Sequence, residues 1–265
     1  MSSKLQDMTF VVNRNSTSVF ERNFAASSCL DGIRPDRIIV QEGFSSAAAA
    51  YNDAIEKADT DLLVFAHQDV YFPADWLDNL DRSLKILERS DRDWGVLGGW
   101  GVNNRGLQAG YLYSVGLGIL GKPFVQPVAI DTLDEYFLIM RKSSGLRFDS
   151  NLPNFHLYGT DICLSARKNN KNCYAISAFS IHNTGNGKLP PEFFDCYWHV
   201  KKKWKEFLPI QTPCIRITRW NEELIVRKLK HVYFKLFRRE YGLHARLEDP
   251  RSALKFAVAR PSDSD

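Results

Sequence analysis

The chain has 265 residues, with 35 Lys+Arg against 31 Asp+Glu and a formal net charge of +4. Its 44% hydrophobic and 12% aromatic content is enough to bury a core, which excludes a disordered chain, and no repeat marks a collagen or coiled-coil rod. So mild a positive charge gives no ground for expecting nucleic acid as a partner.

At about 100–200 residues per domain, the length suits one large domain with an appendage. The cysteines, Cys29, Cys163, Cys173, Cys196 and Cys214, are odd in number and form no CxxC pair, which argues against a disulfide framework or structural zinc and for a reducing compartment. The N-terminus lacks a basic start followed by an apolar run, and no apolar stretch approaches the roughly 18–20 residues of a membrane span. The expected location is cytoplasmic.

In chain order, Thr9–Val12 reads as a short strand ending at Asn13, followed by a helix-tolerant stretch over 15–30. Arg37–Val40 is the next strand, and Ser45-Ser46 caps a helix over Ala47–Ala58. Asp61–Ala66 is a continuous apolar run, as in a strand buried on both faces of a parallel sheet. Pro73 opens a helix to about Glu88, with Trp76, Leu77, Leu80, Leu84 and Leu87 at helical spacing. Trp94–Gly99 is a further strand. This alternation predicts an α/β fold with a mostly parallel central sheet, whose ligands bind beyond the C-terminal strand ends. Those ends carry Asn13, Gln41-Glu42-Gly43 and His67-Gln68-Asp69. Residues 100–130 read as glycine-rich hairpins, Ile130–Met140 as a strand and Gly159–Asn169 as a helix. From Trp198 onward the pattern is helical and basic, ending in a polar tail from Ala259.

Four places suggest chemistry. Gly116, Gly118 and Gly121 have GxGxxG spacing, but Pro123 and Pro127 follow where a dinucleotide site needs a helix, so a hairpin is the better reading. Asp69, at the end of a central strand, suits a divalent cation bound to a diphosphate, or a turn cap before Pro73. Asp161, at a helix start, suits a general base or a first-turn acid favoured by the helix dipole. His182, entering a Gly/Asn loop with Lys188, suits a metal ligand or a structural histidine. Asn15-Ser16-Thr17 is a chance match to a glycosylation acceptor.

Taken in order, these segments resemble the family 2-like GT-A glycosyltransferases, closest to the StrF-type group of streptomycin biosynthesis. The likeness runs over residues 8–205 and rests on Asn13 after the first strand, Ser45–Asn52, Val64–Val70 with its HQD version of the DxD motif, Asp134–Lys142 and Leu146–Asp149. It continues through His156–Leu164, His182–Gly185 and Lys203-Trp204. The resemblance implies a GT-A domain over 1–205, a nucleotide-diphospho-sugar donor with UDP-sugar favoured, and Mn²⁺ or Mg²⁺. It implies Asp69 and His182 as metal ligands, Asp161 as the base, and an inverting displacement. Asn13, Glu42, Asn52, His67, Gln68 and Lys188 would meet the donor, with Asp134 and Glu135 on the acceptor side. The chain departs from the pattern at His67, in the first DxD position, and at Gln41-Glu42, where an aspartate is common.

Residues 206–265 form a basic helical extension outside the resemblance, carrying Arg216, Arg219, Arg227, Lys228, Lys230, Lys235, Arg238, Arg239 and Arg246 among aromatics. It suits peripheral contact with an anionic membrane and a lipid-linked acceptor, a dimer interface or acceptor lid, or simply a solvated face. The expected function is sugar transfer to a saccharide or lipid-linked saccharide in polysaccharide or glycoconjugate synthesis. A nucleotidyltransferase is the weaker alternative, because residues 13–24 are not glycine-rich. A non-catalytic sugar- or polyanion-binding module is the other.

Overall fold

The computed structural model describes residues 7–185, 189–227, 229 and 244–258. The first half alternates as the pattern dictates: β1 (Met8–Asn13), α1 (Thr17–Arg22), β2 (Ile38–Gln41), α2 (Ala47–Lys57), β3 (Leu62–His67), β4 (Val70–Tyr71), α3 (Trp76–Ser90) and β5 (Val96–Gly98). A meander of β6 (Trp100–Val102), β7 (Gln108–Ser114) and β8 (Gly118–Gly121) follows, then β9 (Val128–Ile130), β10 (Thr132–Leu133) and β11 (Phe137–Arg141). The chain continues through α4 (Tyr158–Lys168), β12 (Cys173–Ala175), β13 (Ser180–His182), α5 (Pro191–Lys203), β14 (Ile210–Gln211) and β15 (Arg216–Ile217).

The central sheet has the order β2-β1-β3-β11-β5-β12-β9. Pairing is parallel among β2, β1 and β3 and between β5 and β12, but β11 runs antiparallel to both its neighbours and β9 antiparallel to β12. The sheet is therefore mixed, and its parallel half is the one read from residues 9–66.

β3 shows why the apolar run is continuous. Leu63 and Phe65 face one core with α2, α4 and α5, while Val64 and Ala66 face the opposite core with α3. Both faces are covered, so the strand has no polar side to alternate with. Ala47, Ala48 and Ala54 let α2 lie close on the sheet, and the Ser46 hydroxyl caps it by accepting from the Ala49 N–H at 3.2 Å. On α3, Trp76, Leu77, Leu80 and Leu87 fill the other core.

A second sheet, β10-β6-β7-β13-β4, stands beside the first and brings β13 next to β4. The Gly116–Gly121 stretch is the turn and second strand of the β7–β8 hairpin, with no helix after it. The helical reading from Trp198 onward is corrected. α5 starts earlier, at Pro191, and ends at Lys203, after which β14 and β15 form a small antiparallel pair. Residues 222–227 are helical again. Lys228, Lys230, Lys235, Arg238 and Arg239 of the basic stretch, and the tail from Ala259, lie outside the described residues.

After that gap the chain returns as a strap over residues 244–258. Leu247, Ala253 and Leu254 pack with Tyr71, Tyr111, Phe179 and Ile181 on the second sheet, and Phe256 stacks on Tyr113 with ring centroids 5.3 Å apart. Among the described residues no helix is long and apolar enough to cross a membrane.

Candidate metal and donor site

Strand pairing assembles the site. His67 ends β3, Asp69 precedes β4, and His182 ends β13 opposite Val70 of β4. The Asn183 N–H donates to the Asp69 carbonyl at 2.8 Å, which prolongs this ladder past His182. His67, Asp69 and His182 therefore present donor atoms that all lie within 4.8 Å of one another. Asp69 Oδ1 is 3.5 Å from His182 Nε2 and 4.0 Å from His67 Nδ1. An ion with bonds of about 2.0–2.2 Å joins donors separated by roughly 3–4 Å, so the set fits one ion after small side-chain adjustments.

His67 is prepared for that role from behind. Its Nε2 lies 2.8 Å from the Tyr158 hydroxyl, which donates to the Glu135 carbonyl at 3.2 Å. With the hydroxyl proton so committed, the phenolic oxygen accepts from His67 Nε2–H, which leaves the Nδ1 lone pair facing Asp69. Burial pushes the His67 pKa down to about 4, which keeps the ring neutral as a ligand requires. Burial also opposes the charge on Asp69, yet His182, His67 and Arg246 together hold its carboxyl well below the usual range. Burial likewise disfavours a charge on His182, but the adjacent Asp69 outweighs it and raises the imidazole.

Asp134 and Glu135 lie on the approach to β11, beside this cluster. Asp134 exerts a field on both His67 and His182, and its Oδ1 accepts from the Tyr136 N–H at 3.1 Å. The Glu135 carboxyl faces the backbone N–H groups of Leu157 and Gly159 at the start of α4. Gly159 makes the room: a Cβ there would stand 2.7 Å from the Leu133 carbonyl and 3.1 Å from Glu135 Cγ. Burial first, then the neighbouring Asp134 charge, raise the Glu135 carboxyl well above its ordinary value.

Asp161 does not join the cluster. It is 1% exposed, and its oxygens accept from Lys203 Nζ at 2.8 and 3.0 Å and from Trp204 Nε1 at 2.7 Å. Lys203 also reaches Asp149 at 2.8 Å, and His199 Nε2 is 2.9 Å from the same carboxylate. Asp161 thus anchors α5 to α4, with its oxygens engaged by Lys203 and Trp204 rather than turned to the His67–Asp69–His182 cluster.

Two of the expected donor contacts are likewise occupied by backbone. Asn52 donates to the Phe148 carbonyl at 2.8 Å and accepts from its N–H at 3.0 Å. Gln68 Oε1 accepts from the N–H groups of Asn15 and Ser16, both at 3.0 Å, and so holds the loop after β1. Neither amide has its groups free to line a pocket. Glu42 is paired with Arg14 at 2.6 Å on the surface beyond β2. Asn13 sits in register with Gln41 and His67 at the C-terminal edge of the sheet. Lys188 lies outside the described residues.

The strap adds residues that the sequence reading did not place at a site. Asn183 is fully buried; its Oδ1 accepts from the Leu247 N–H at 2.7 Å and its Nδ2 donates to the Leu247 carbonyl at 3.0 Å. Arg246 Nε donates to the Asn183 carbonyl at 3.1 Å, and its Nη2 is 3.5 Å from Asp69 Oδ2. The Asn immediately after the metal-type histidine was a usable signal. Arg246, one cation of a basic run, carried none.

No family model matches the chain. A stretch of 152 residues is 29% identical to "ATP synthase subunits region ORF 6" of Fuscovulum blasticum, covering 56% of this chain and 61% of that protein. The chain thus spans less than two thirds of that relative, whose name states no activity. Among solved structures, GalNAc-T7, crystallised with UDP, GalNAc and Mn²⁺, is similar at a TM-score of 0.52 and 9% identity, covering 75% of this chain and 49% of that one. TarS of S. aureus reaches a TM-score of 0.46 at 13% identity, over 74% of this chain and 39% of its own, and adds no weight. The fold is that of the GT-A glycosyltransferases. The likeness is one of architecture, since so low an identity carries no activity with it.

Proposed function

We propose that the protein is a metal-dependent glycosyltransferase that moves a sugar from a nucleotide-diphospho-sugar to an acceptor hydroxyl. One observation carries the reading: His67, Asp69 and His182 converge at the C-terminal edge of a GT-A sheet, where that architecture receives ligands. The bound UDP, GalNAc and Mn²⁺ of the GalNAc-T7 crystal support a UDP-sugar as the donor class.

Two imidazoles and one carboxylate suit Mn²⁺ or another borderline transition metal better than Mg²⁺, which prefers an all-oxygen shell. When bound, such an ion supplies Lewis-acid neutralisation of the leaving nucleoside diphosphate. His67, Asp69 and His182 would hold it, with the Tyr158 hydroxyl fixing the His67 ring. Asn13 and the end of β2 line the nucleotide side. The acceptor, a saccharide or lipid-linked saccharide, approaches past Asp134 and Glu135. Glu135 takes the acceptor proton as the acceptor oxygen attacks the anomeric carbon from the face opposite the diphosphate, and a single displacement inverts that centre. Glu135 is assigned this role because it lies beside Asp134 on the acceptor side, with its carboxyl at the N–H groups of Leu157 and Gly159, whereas the Asp161 oxygens are held by Lys203 and Trp204.

The test is a thermal-shift panel of UDP-, GDP-, dTDP- and CMP-sugars with and without Mn²⁺. A metal-dependent shift with one nucleotide, lost in Asp69→Asn, is expected. Equal shifts in Asp69→Asn and wild type would overturn the reading.

A further inference from the structure

Resting on that reading, we propose that Arg246 is the protein's own cation for the donor diphosphate, and that the C-terminal strap, residues 244–258, is a working part of the donor site.

Placement is the first argument. Asn183, directly after His182, grips Leu247 at two points and fixes Arg246 beside the metal-type cluster, although 177 positions separate Arg246 from Asp69. The strap is fitted closely to this spot. A Cβ on Gly116 would stand 2.2 Å from the His244 ring, and one on Gly185 would stand 3.1 Å from Arg246 Nη1. A side chain at Gly116 would displace the His244 ring, and one at Gly185 would crowd the Arg246 guanidinium.

Geometry is the second. An arginine kept to neutralise a buried carboxylate makes short, often bidentate bonds of about 2.7–2.9 Å. Arg246 makes one contact with Asp69, at 3.5 Å, and its side chain is 39% exposed. Among the described residues, only its Nε makes a normal hydrogen bond, to the Asn183 carbonyl. The fork therefore keeps donors directed at whatever binds beside Asp69.

Charge is the third. One carboxylate, two neutral imidazoles, a divalent ion and one guanidinium sum to two positive charges, and Asp134 beside them lowers that to one. The diphosphate of a nucleotide-sugar carries two negative charges and presents oxygens in the planar spacing that a guanidinium matches. Without Arg246 the ion, Asp69 and Asp134 would sum to zero, so Arg246 is what leaves the site positive toward a diphosphate.

The experiment titrates Mn²⁺, then inorganic pyrophosphate and UDP in the presence of Mn²⁺, by calorimetry on the full chain and on Arg246→Gln. Pyrophosphate and UDP binding should weaken about tenfold or more in the variant. Mn²⁺ affinity alone should hold or rise, because a competing cation has left Asp69. Wild-type pyrophosphate affinity in Arg246→Gln would overturn the proposal. Should Arg246→Gln lose Mn²⁺ binding as well, Arg246→Lys replaces it. That variant keeps charge and stem but not the fork, so weaker pyrophosphate binding is again expected and unchanged binding counts against the proposal. The two readings fail separately. A wild-type protein that binds Mn²⁺–pyrophosphate through Arg246 but no nucleotide-sugar refutes the donor reading alone. Tight nucleotide-sugar binding indifferent to Arg246 refutes this inference alone.

Discussion

At the scale of single residues, His67 is the instructive position. As the first letter of an HQD triplet it departs from the DxD pattern. The structure sets its ring beside Asp69 and His182, with Nε2 held on Tyr158, which suits it as a ligand in the proposed site. Tyr158→Phe removes that hold, and metal affinity should fall about 10–100-fold with the fold intact, measured by Mn²⁺ titration. Glu135 gives a pH prediction. A base works only when deprotonated, and this carboxyl is raised above the ordinary range. Transfer should therefore decline as pH falls through a value above that of a free carboxylate. Glu135→Gln should lower kcat by about 10²–10⁴-fold and abolish that limb of the profile. Asp69 and His182 stood out in the sequence by their places at strand ends, and the structure brings them within 3.5 Å of each other. The partners of Asp161 were not legible, because its own segment shows only a first-turn acid, while the Lys203 and Trp204 that bond it lie some forty residues away.

At the scale of elements, the ion-pair network under α5 and the start of α4 carry the stakes. Lys203 serves Asp149 and Asp161 together, so Lys203→Met removes the cation they share, leaving them only His199 and Trp204, and should cost about 3 kcal/mol in denaturant unfolding. Asp149 feels burial, but bonds from Lys203 and His199 outweigh it and depress its folded pKa below the unfolded value near 3.9. Its contribution is thus complete above about pH 4 and is lost as pH falls through the folded value. Asp161 is raised by burial, so its protonation at low pH relieves part of the Lys203→Met defect. That variant should therefore recover relative to wild type on acidification. Gly159→Ala tests the other end of α4. The added methyl meets the Leu133 carbonyl and Glu135, and should cost about 1–3 kcal/mol in thermal unfolding along with transfer activity. The helices were legible because Ser46, Pro73 and the leucine spacing of α3 are local signals. The direction of β11 was not, because a strand buried on both faces reads the same parallel or antiparallel.

At the scale of the molecule, two sheets and a returning strap make the site. The central sheet supplies His67, the second sheet joins Asp69 to His182, and the strap supplies Arg246. The α/β class was visible in the first hundred residues, because alternating apolar periods are local. The pairing of β4 with β13 and the clamp of Asn183 on Leu247 join segments over sixty residues apart, and no periodicity encodes such contacts. The most direct test of the central claim is a transfer and hydrolysis assay of the purified chain on UDP-sugars with Mn²⁺, run beside a His182→Ala, Asp69→Asn double variant. Release of UDP that requires Mn²⁺ and disappears in the double variant is the expected result. Release by the double variant at the wild-type rate would contradict the account.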